Sequence, residues 1–465
     1  MIKSLFKKRT SAEKGTELAH DAFFESLRTK DYDRLDKNDH VYLDYTGGNL
    51  YSTSQLKTHY KLLSENTFGN PHSTNPTSRF STHLVEEARK KVIDFFNAED
   101  YYCVFTANAS GALKIVGECY AFNKDGHFLL FADNHNSVNG IREYCHHAGG
   151  THEYVPMNHD DLSVSEEVLI RKLRETEKKN KLFAYPAQSN VSGIKHDLKW
   201  IGEAQKMGWD VLLDAAAYVP TSQLDLKEHQ PDFVSISFYK IFGYPTGIGC
   251  LFIKKTSFSK LEKKWFAGGT VSLASAAAPF HFLTNNHERF ENGTINYLDI
   301  PALKIGLDYI ESIGMDRINE RIASLMNYLY PKLKELRHST GERQLDIFGH
   351  PERKNTGGTM IMCFKNPDGS KIDFEKVEEL ANDKRISVRS GCFCNPGLDE
   401  TTNCITNEEM TRYFTSRKTG DYKDMISYLH KMRGATRISV GLATTKNDLD
   451  AYISFVQSLK DKTYS

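Results

Sequence analysis

VLLDAAAYVP, residues 211–220, is an apolar run too short for a helix that ends on an acid and runs on into small residues. Val211 to Leu213 reads as a buried strand, with Asp214 delivered at its carboxyl end. Working outward, Tyr102 to Thr106, Phe128 to Ala132, Leu182 to Tyr185 and Gly249 to Ile253 are further strand-sized apolar runs, and helical patterns separate most of them. One of these patterns has Val85, Ala88, Val92, Phe95 and Phe96 on a single stripe. Apolar strands alternating with amphipathic helices predict an α/β fold with a largely parallel sheet covered on both faces. In such sheets ligands bind beyond the carboxyl ends of the strands, where Asp214 sits.

Beyond residue 300 the pattern changes. A helical stretch from Ala302 to Tyr330 leads to a strand-like Thr359 to Phe364, a helix near Phe374 to Asn382 and an extended Arg385 to Val388. Arg437 to Leu442 and Asp448 to Leu459 close the chain as strand and helix. The expected organisation is a polar helical extension over 1–40, a large domain over 41–300 and a smaller α+β domain over 301–465.

The 465 residues carry 60 Lys+Arg against 60 Asp+Glu. That balance argues against a protein that coats nucleic acid or an anionic membrane, and no run approaches the roughly 18 apolar residues of a membrane span. Eight cysteines are too few for a secreted disulfide scaffold. The opening MIKSLFKKRTSAEK faintly resembles a transit peptide, but Glu13, Glu17 and Asp21 soon interrupt its positive charge, so the cytoplasm is the expected location.

There is no G-x-G-x-x-G, no phosphate-binding P-loop and no paired zinc motif, so no metal is expected. Single residues placed just past apolar strands carry the chemistry instead. Asp214 alone reads equally well as the cap of a following helix. In SISFYKIFGYPTGIG, residues 235–249, Lys240 follows a strand-like run and precedes a Gly-rich stretch, and alone it reads as a snorkelling lysine. Together they are the pair that pyridoxal 5'-phosphate needs: an amine for its aldehyde and an acid for its ring nitrogen. FTANASGALKIV, residues 105–116, supplies a small-residue turn into a helix, where backbone N–H groups and Ser110 suit a phosphate. His135 in ADNHNSV could lie on a ring or simply cap a loop. In VRSGCFCNPG, residues 388–397, Cys392 and Cys394 are either a nucleophile with a resolving partner or an idle half-exposed pair.

These stretches, with YLDYTGG at 42–48, NTFGNPHS at 66–73, YPAQSN at 185–190 and FENGTINYLDI at 290–300, resemble the class-V, fold-type I pyridoxal-phosphate enzymes. Over roughly 40–460 the likeness is strongest to the cysteine-desulfurase-like domain of molybdenum cofactor sulfurases. The resemblance implies that Lys240 carries the cofactor as a Schiff base and Asp214 meets its ring nitrogen. It implies that Ser110, the backbone at Ala109 and Ser237 hold the phosphate, and that Thr294 reaches the phosphate of a neighbouring subunit, hence a homodimer. His135 would stack on the ring, Asn190 would lie by the ring hydroxyl and the substrate carboxylate, Arg437 would clamp that carboxylate, and Cys394 would be the nucleophile, its loop swinging between Gly391 and Gly397. The implied reaction takes sulfur from L-cysteine as a persulfide on Cys394 and releases alanine. The sulfur acceptor, a protein or a cofactor, is not given, because the further cofactor-binding domain usual in those sulfurases lies outside these 465 residues. Two positions depart from many desulfurases: Tyr239 stands where His precedes the lysine, and Ala217 stands where a Gln follows the aspartate. A class-V aminotransferase, epimerase or lyase acting on another amino acid is the alternative enzyme. A non-catalytic interaction protein on the same fold is the alternative of another class.

Overall fold

The computed structural model describes residues 18–350 and 352–464. Its larger sheet has seven strands: β1 (Tyr101–Thr106), β2 (Gly126–Phe131), β3 (Thr151–Val155), β4 (Asn180–Pro186), β5 (Asp210–Asp214), β6 (Phe233–Ser237) and β7 (Gly249–Lys254). Their spatial order is β1-β7-β6-β5-β4-β2-β3. The strands from β2 to β6 pair in parallel, while β7 runs antiparallel between β6 and β1. The reversal has a local cause. Residues 238–248 hold only the short helix Tyr239–Phe242, too little chain for the crossover a parallel neighbour requires. β4 and β5 lie inside the sheet, and their buried central runs, Leu182 to Tyr185 and Val211 to Leu213, are apolar for that reason. The stripe predicted from Val85 to Phe96 lies on the helix Pro76–Phe95, which starts on an Asn75 cap and buries Val85, Ala88 and Val92.

The helix expected from Ala302 to Tyr330 is two helices, Pro301–Ile313 and Met315–Lys334. Gly314 separates them at φ 90°, a left-handed conformation that glycine takes without steric cost. The first helix packs against Thr53–Glu65 and Pro76–Phe95 beside the large sheet, whereas the second packs against Lys446–Ser458. Gly314 is therefore where the chain passes from one sheet to the other. The second sheet is antiparallel and contains β8 (Leu345–Ile347), β9 (Thr359–Phe364), β10 (Arg389–Gly391) and β11 (Ala435–Ser439), in the order β8-β9-β11-β10. One apolar cluster runs without a break from the large sheet into this part.

Of the extension expected over 1–40, residues 1–17 lie outside the described residues. From residue 18 the chain packs onto the C-terminal part, with Leu18 and Phe24 buried. Arg28 Nη1 donates to Asp448 at 2.7 Å, and Arg321 Nη1 donates to Asp21 at 2.8 Å. Among the described residues no helix is long and apolar enough to cross a membrane.

Candidate active site

The carboxyl ends of β4, β5 and β6 open onto a cavity of about 190 Å³ lined by Ala109, Ser110, His135, Asn190, Asp214, Ser237 and Lys240, among others. Parallel interior strands bring these residues together: each strand ends at the same edge of the sheet, and each hands its last side chain to the same space. Asp214 closes β5 and is 9% exposed. Its Oδ1 accepts from Ser235 Oγ at 2.9 Å and from the Ala216 N–H at 3.1 Å, so the carboxylate is held in place at a cost its own hydrogen bonds offset.

Lys240 lies on the short helix Tyr239–Phe242, just past β6. Burial pulls its pKa below the ordinary 10.5, and Arg437 and Arg389 add to the fall while Asp214 and Cys394 oppose it. A larger fraction of the amine is therefore neutral, the form that attacks a carbonyl. Burial likewise lowers the pKa of His135, with Lys240 adding and Asp214 opposing. His135 caps a helical turn, its Nδ1 accepting from the Ser137 N–H at 3.1 Å.

The small-residue turn leads into the helix Ala109–Cys119, capped by Asn108. Here Ala109 and Ser237 bond each other, N–H to Oγ at 3.0 Å, and Ser110 Oγ lies 2.6 Å from Ser137 Oγ. The Ala109 N–H thus already has a partner within the chain. Tyr239 and Ala217 also line the cavity, and Gln188 donates to the Ala217 carbonyl at 3.0 Å, so an amide from β4's end stands beside the position that lacks one.

Thr294 and Arg437 are elsewhere. Thr294 is exposed and lies 3.3 Å from Asn70 Nδ2, off the cavity of its own chain. Arg437 is 3% exposed and is not part of the cavity lining. β10 and β11 pair Arg389 directly opposite Arg437, an arrangement of like charges that needs an anion between them. Asp44, from the YLDYTGG stretch, provides it. Its Oδ1 accepts from Arg437 Nη2 at 2.7 Å and its Oδ2 from Arg389 Nε at 2.9 Å. Arg437 Nη1 donates to the Asn190 carbonyl at 2.7 Å.

The loop that follows β10 carries the two thiols. Cys394 is exposed, while Cys392 is half-buried and burial raises its pKa. Asn190 Nδ2 donates to the Phe393 carbonyl at 2.9 Å, and the Asn136 N–H donates to the Cys394 carbonyl at 2.7 Å. The two expected hinge glycines differ. Gly391 has φ 114°, a glycine conformation, but Gly397 is a packing residue: a Cβ there would lie 2.3 Å from the Ala132 carbonyl oxygen.

Sequence reasoning passed over Asp133. This wholly buried acid accepts from Ser189 Oγ at 2.8 Å, from Asn395 Nδ2 at 2.7 Å and pairs with His196 Nε2 at 3.0 Å. It ties the end of the thiol loop to the large sheet. The signal is present in the sequence: Asp133 follows the apolar run Phe128 to Ala132 as Asp214 follows Val211 to Leu213.

The residues present fit pyridoxal 5'-phosphate. A deep carboxylate, an amine biased toward neutrality and a serine-bearing helix start surround one cavity. Comparison with known proteins agrees. The family described as aminotransferase class-V matches residues 41–452. The chain is 36% identical over 455 residues to human molybdenum cofactor sulfurase and 34% identical over 477 residues to that of Arabidopsis thaliana. These alignments cover 92% and 93% of the chain but only 50% and 58% of those proteins, so the chain spans little more than half their length. Among solved structures, a cysteine desulfurase of Thermococcus onnurineus superposes with a TM-score of 0.78 at 23% identity, covering 94% of this chain and 98% of that one. The Escherichia coli cysteine desulfurase CsdA superposes at 0.74 and 20% identity, covering 94% and 98%. A C-DES variant with glycine linked to its PLP cofactor superposes at 0.72 and 15% identity, covering 92% and 98%. The chain belongs to the class-V aminotransferase family and is an enzyme of the pyridoxal-phosphate-dependent kind.

Proposed function

We propose that this enzyme is a cysteine desulfurase that moves sulfur from L-cysteine to Cys394 and releases L-alanine. The observation that carries the reading is the hydrogen bond from Asn190, a cavity residue, to the Phe393 carbonyl, which keeps a thiol-bearing loop against the cavity that holds Lys240. The names of the relatives, sulfurases by sequence and desulfurases by fold, support the same chemistry.

When bound, pyridoxal phosphate supplies an electron sink for the carbanion at the substrate's Cα. Asp214 would meet its ring nitrogen, Ser110, Ser237 and the Ala109 backbone its phosphate, His135 the ring face, and Asn190 the ring hydroxyl. Lys240, its amine biased toward neutrality, moves the proton at Cα. Arg437 orients the substrate carboxylate. The Cys394 thiolate then attacks the substrate sulfur. An S–S bond forms, the Cβ–S bond breaks with its electron pair returning to carbon, and that carbon takes a proton, so one thiol and one cysteine become one persulfide and one alanine. The functional unit in this reading is a cytoplasmic homodimer in which Thr294 reaches the neighbouring subunit's phosphate. The persulfide passes to a protein or cofactor acceptor.

Cys394→Ala tests the reading. The variant should still show the change in cofactor absorbance on adding L-cysteine, and alanine and sulfide production should vanish. Turnover retained by the variant would move the nucleophile to Cys392; turnover of another amino acid without sulfide would favour an aminotransferase, epimerase or lyase.

A further inference from the structure

Arg437 is buried with one donor unused: its Nε has no hydrogen-bond partner among the described residues. Around it, two guanidiniums share the single carboxylate of Asp44, which leaves one positive charge unbalanced next to an empty donor. Arg389 is half exposed to solvent, whereas Arg437 and Asp44 are buried, so the empty donor on Arg437 suits one further carboxylate. The position is covered, however. The Phe393 ring lies over the guanidinium, 5.1 Å from its carbon, and Phe393 immediately precedes Cys394. Both residues have left-handed backbone, φ 55° and 54°, a conformation disfavoured for any residue with a Cβ. Two hydrogen bonds from the large-sheet side, from Asn190 and Asn136, hold the turn down.

We propose that Phe393 is a positioning residue that couples substrate recognition to release of the nucleophile. A carboxylate can reach Arg437 Nε only when the Phe393 ring leaves the guanidinium. Moving the ring together with its backbone unwinds the turn that contains Cys394, and unwinding relieves the backbone strain of both residues. Carboxylate binding and release of the loop are one event, so the backbone that carries the exposed Cys394 thiol stays tethered until an amino acid is in place. The inference rests on the reading that the cavity takes an amino acid.

The test uses the holoenzyme with L-alanine, which carries the carboxylate and amine but no sulfur. Alkylation by iodoacetamide is followed at Cys394 by peptide mapping, with the exposed Cys404 as internal control. Saturating L-alanine should speed alkylation of Cys394 severalfold and leave Cys404 unchanged. Phe393→Ala, and Phe393→Leu as a variant that keeps apolar bulk, should alkylate rapidly without ligand and ignore L-alanine; with L-cysteine their KM should fall together with kcat. An absorbance change with L-alanine but no change at Cys394, or coupling that survives in both variants, overturns the inference while leaving the amino-acid reading intact. No absorbance change at all overturns the amino-acid reading first, and this inference with it.

Discussion

The lining of the cavity and the thiol loop bonded to it through Asn190 are two walls built on different terms. One wall is the carboxyl edge of the large sheet, where Asp214 ends a strand paired on both sides, Ser237 ends the next strand paired to β7, and Lys240 follows on the short helix Tyr239–Phe242. The other is the Gly391–Asn395 turn beyond an edge strand of the small sheet, with two residues in left-handed backbone and a few side-chain bonds across to the first wall. A site that must both hold a charged cofactor in one orientation and let a thiol come and go gains from placing these duties on separate scaffolds. The rigid wall keeps geometry and the strained turn keeps the option of moving.

Four experiments break or sharpen this contrast. The largest effect belongs to the rigid wall: Lys240→Ala should lower amino-acid turnover by about 10²- to 10⁴-fold or more and abolish the borohydride-trapped lysine label, while Cys394 alkylation stays at the wild-type rate. Asp133→Ala strikes the joint between the walls. It strands the buried donors of Asn395 and Ser189 and should cost about 2–3 kcal/mol in urea unfolding, with faster Cys394 alkylation. Asn395→Ala removes both the cap that accepts from the Leu398 N–H and a donor to buried Asp133, and should cost about 2 kcal/mol while loosening the turn. Ser237→Ala should do the opposite, weakening cofactor affinity by a factor of about five, near 1 kcal/mol, with no effect on the thiol.

The pH dependence of cofactor capture probes the rigid wall alone. Lys240's folded pKa is depressed, so capture, which needs the neutral amine, should accelerate with rising pH around a midpoint below 10.5. The sign for stability follows: the unfolded chain binds this proton more readily than the folded one, so Lys240 costs stability below its folded pKa and the cost fades as pH climbs toward 10.5. Because the Asp214 charge opposes the depression, Asp214→Asn should move the capture midpoint lower still; a midpoint that rises would overturn this account of the amine's surroundings.

The contrast also explains what the sequence disclosed. Interior strands such as β4 and β5 announce themselves because burial on both faces leaves apolar runs, Leu182 to Tyr185 and Val211 to Leu213, and Asp214 at the end of β5 and Lys240 just past β6 stand out by position. The edge strand β3, THEYV, is half exposed and mixed in character, so no periodic signal marks it. The antiparallel turn into β7 and the break at Gly314 depend on chain economy and one backbone angle rather than on hydrophobic pattern. The loop wall was legible only as a pair of cysteines. Asp44 meets Arg437 across 393 positions of sequence, and no local pattern records such a meeting.

Gly397 sets the clearance between the walls. Its α-carbon sits against the Ala132 carbonyl with no room for a methyl group, so position 397 behaves as a spacer of zero thickness. Alanine and then valine there would act as shims, prising the helix Pro396–Thr402 off the end of β2 by graded amounts. The distance over which sulfur is handed across would become an adjustable dimension of the molecule.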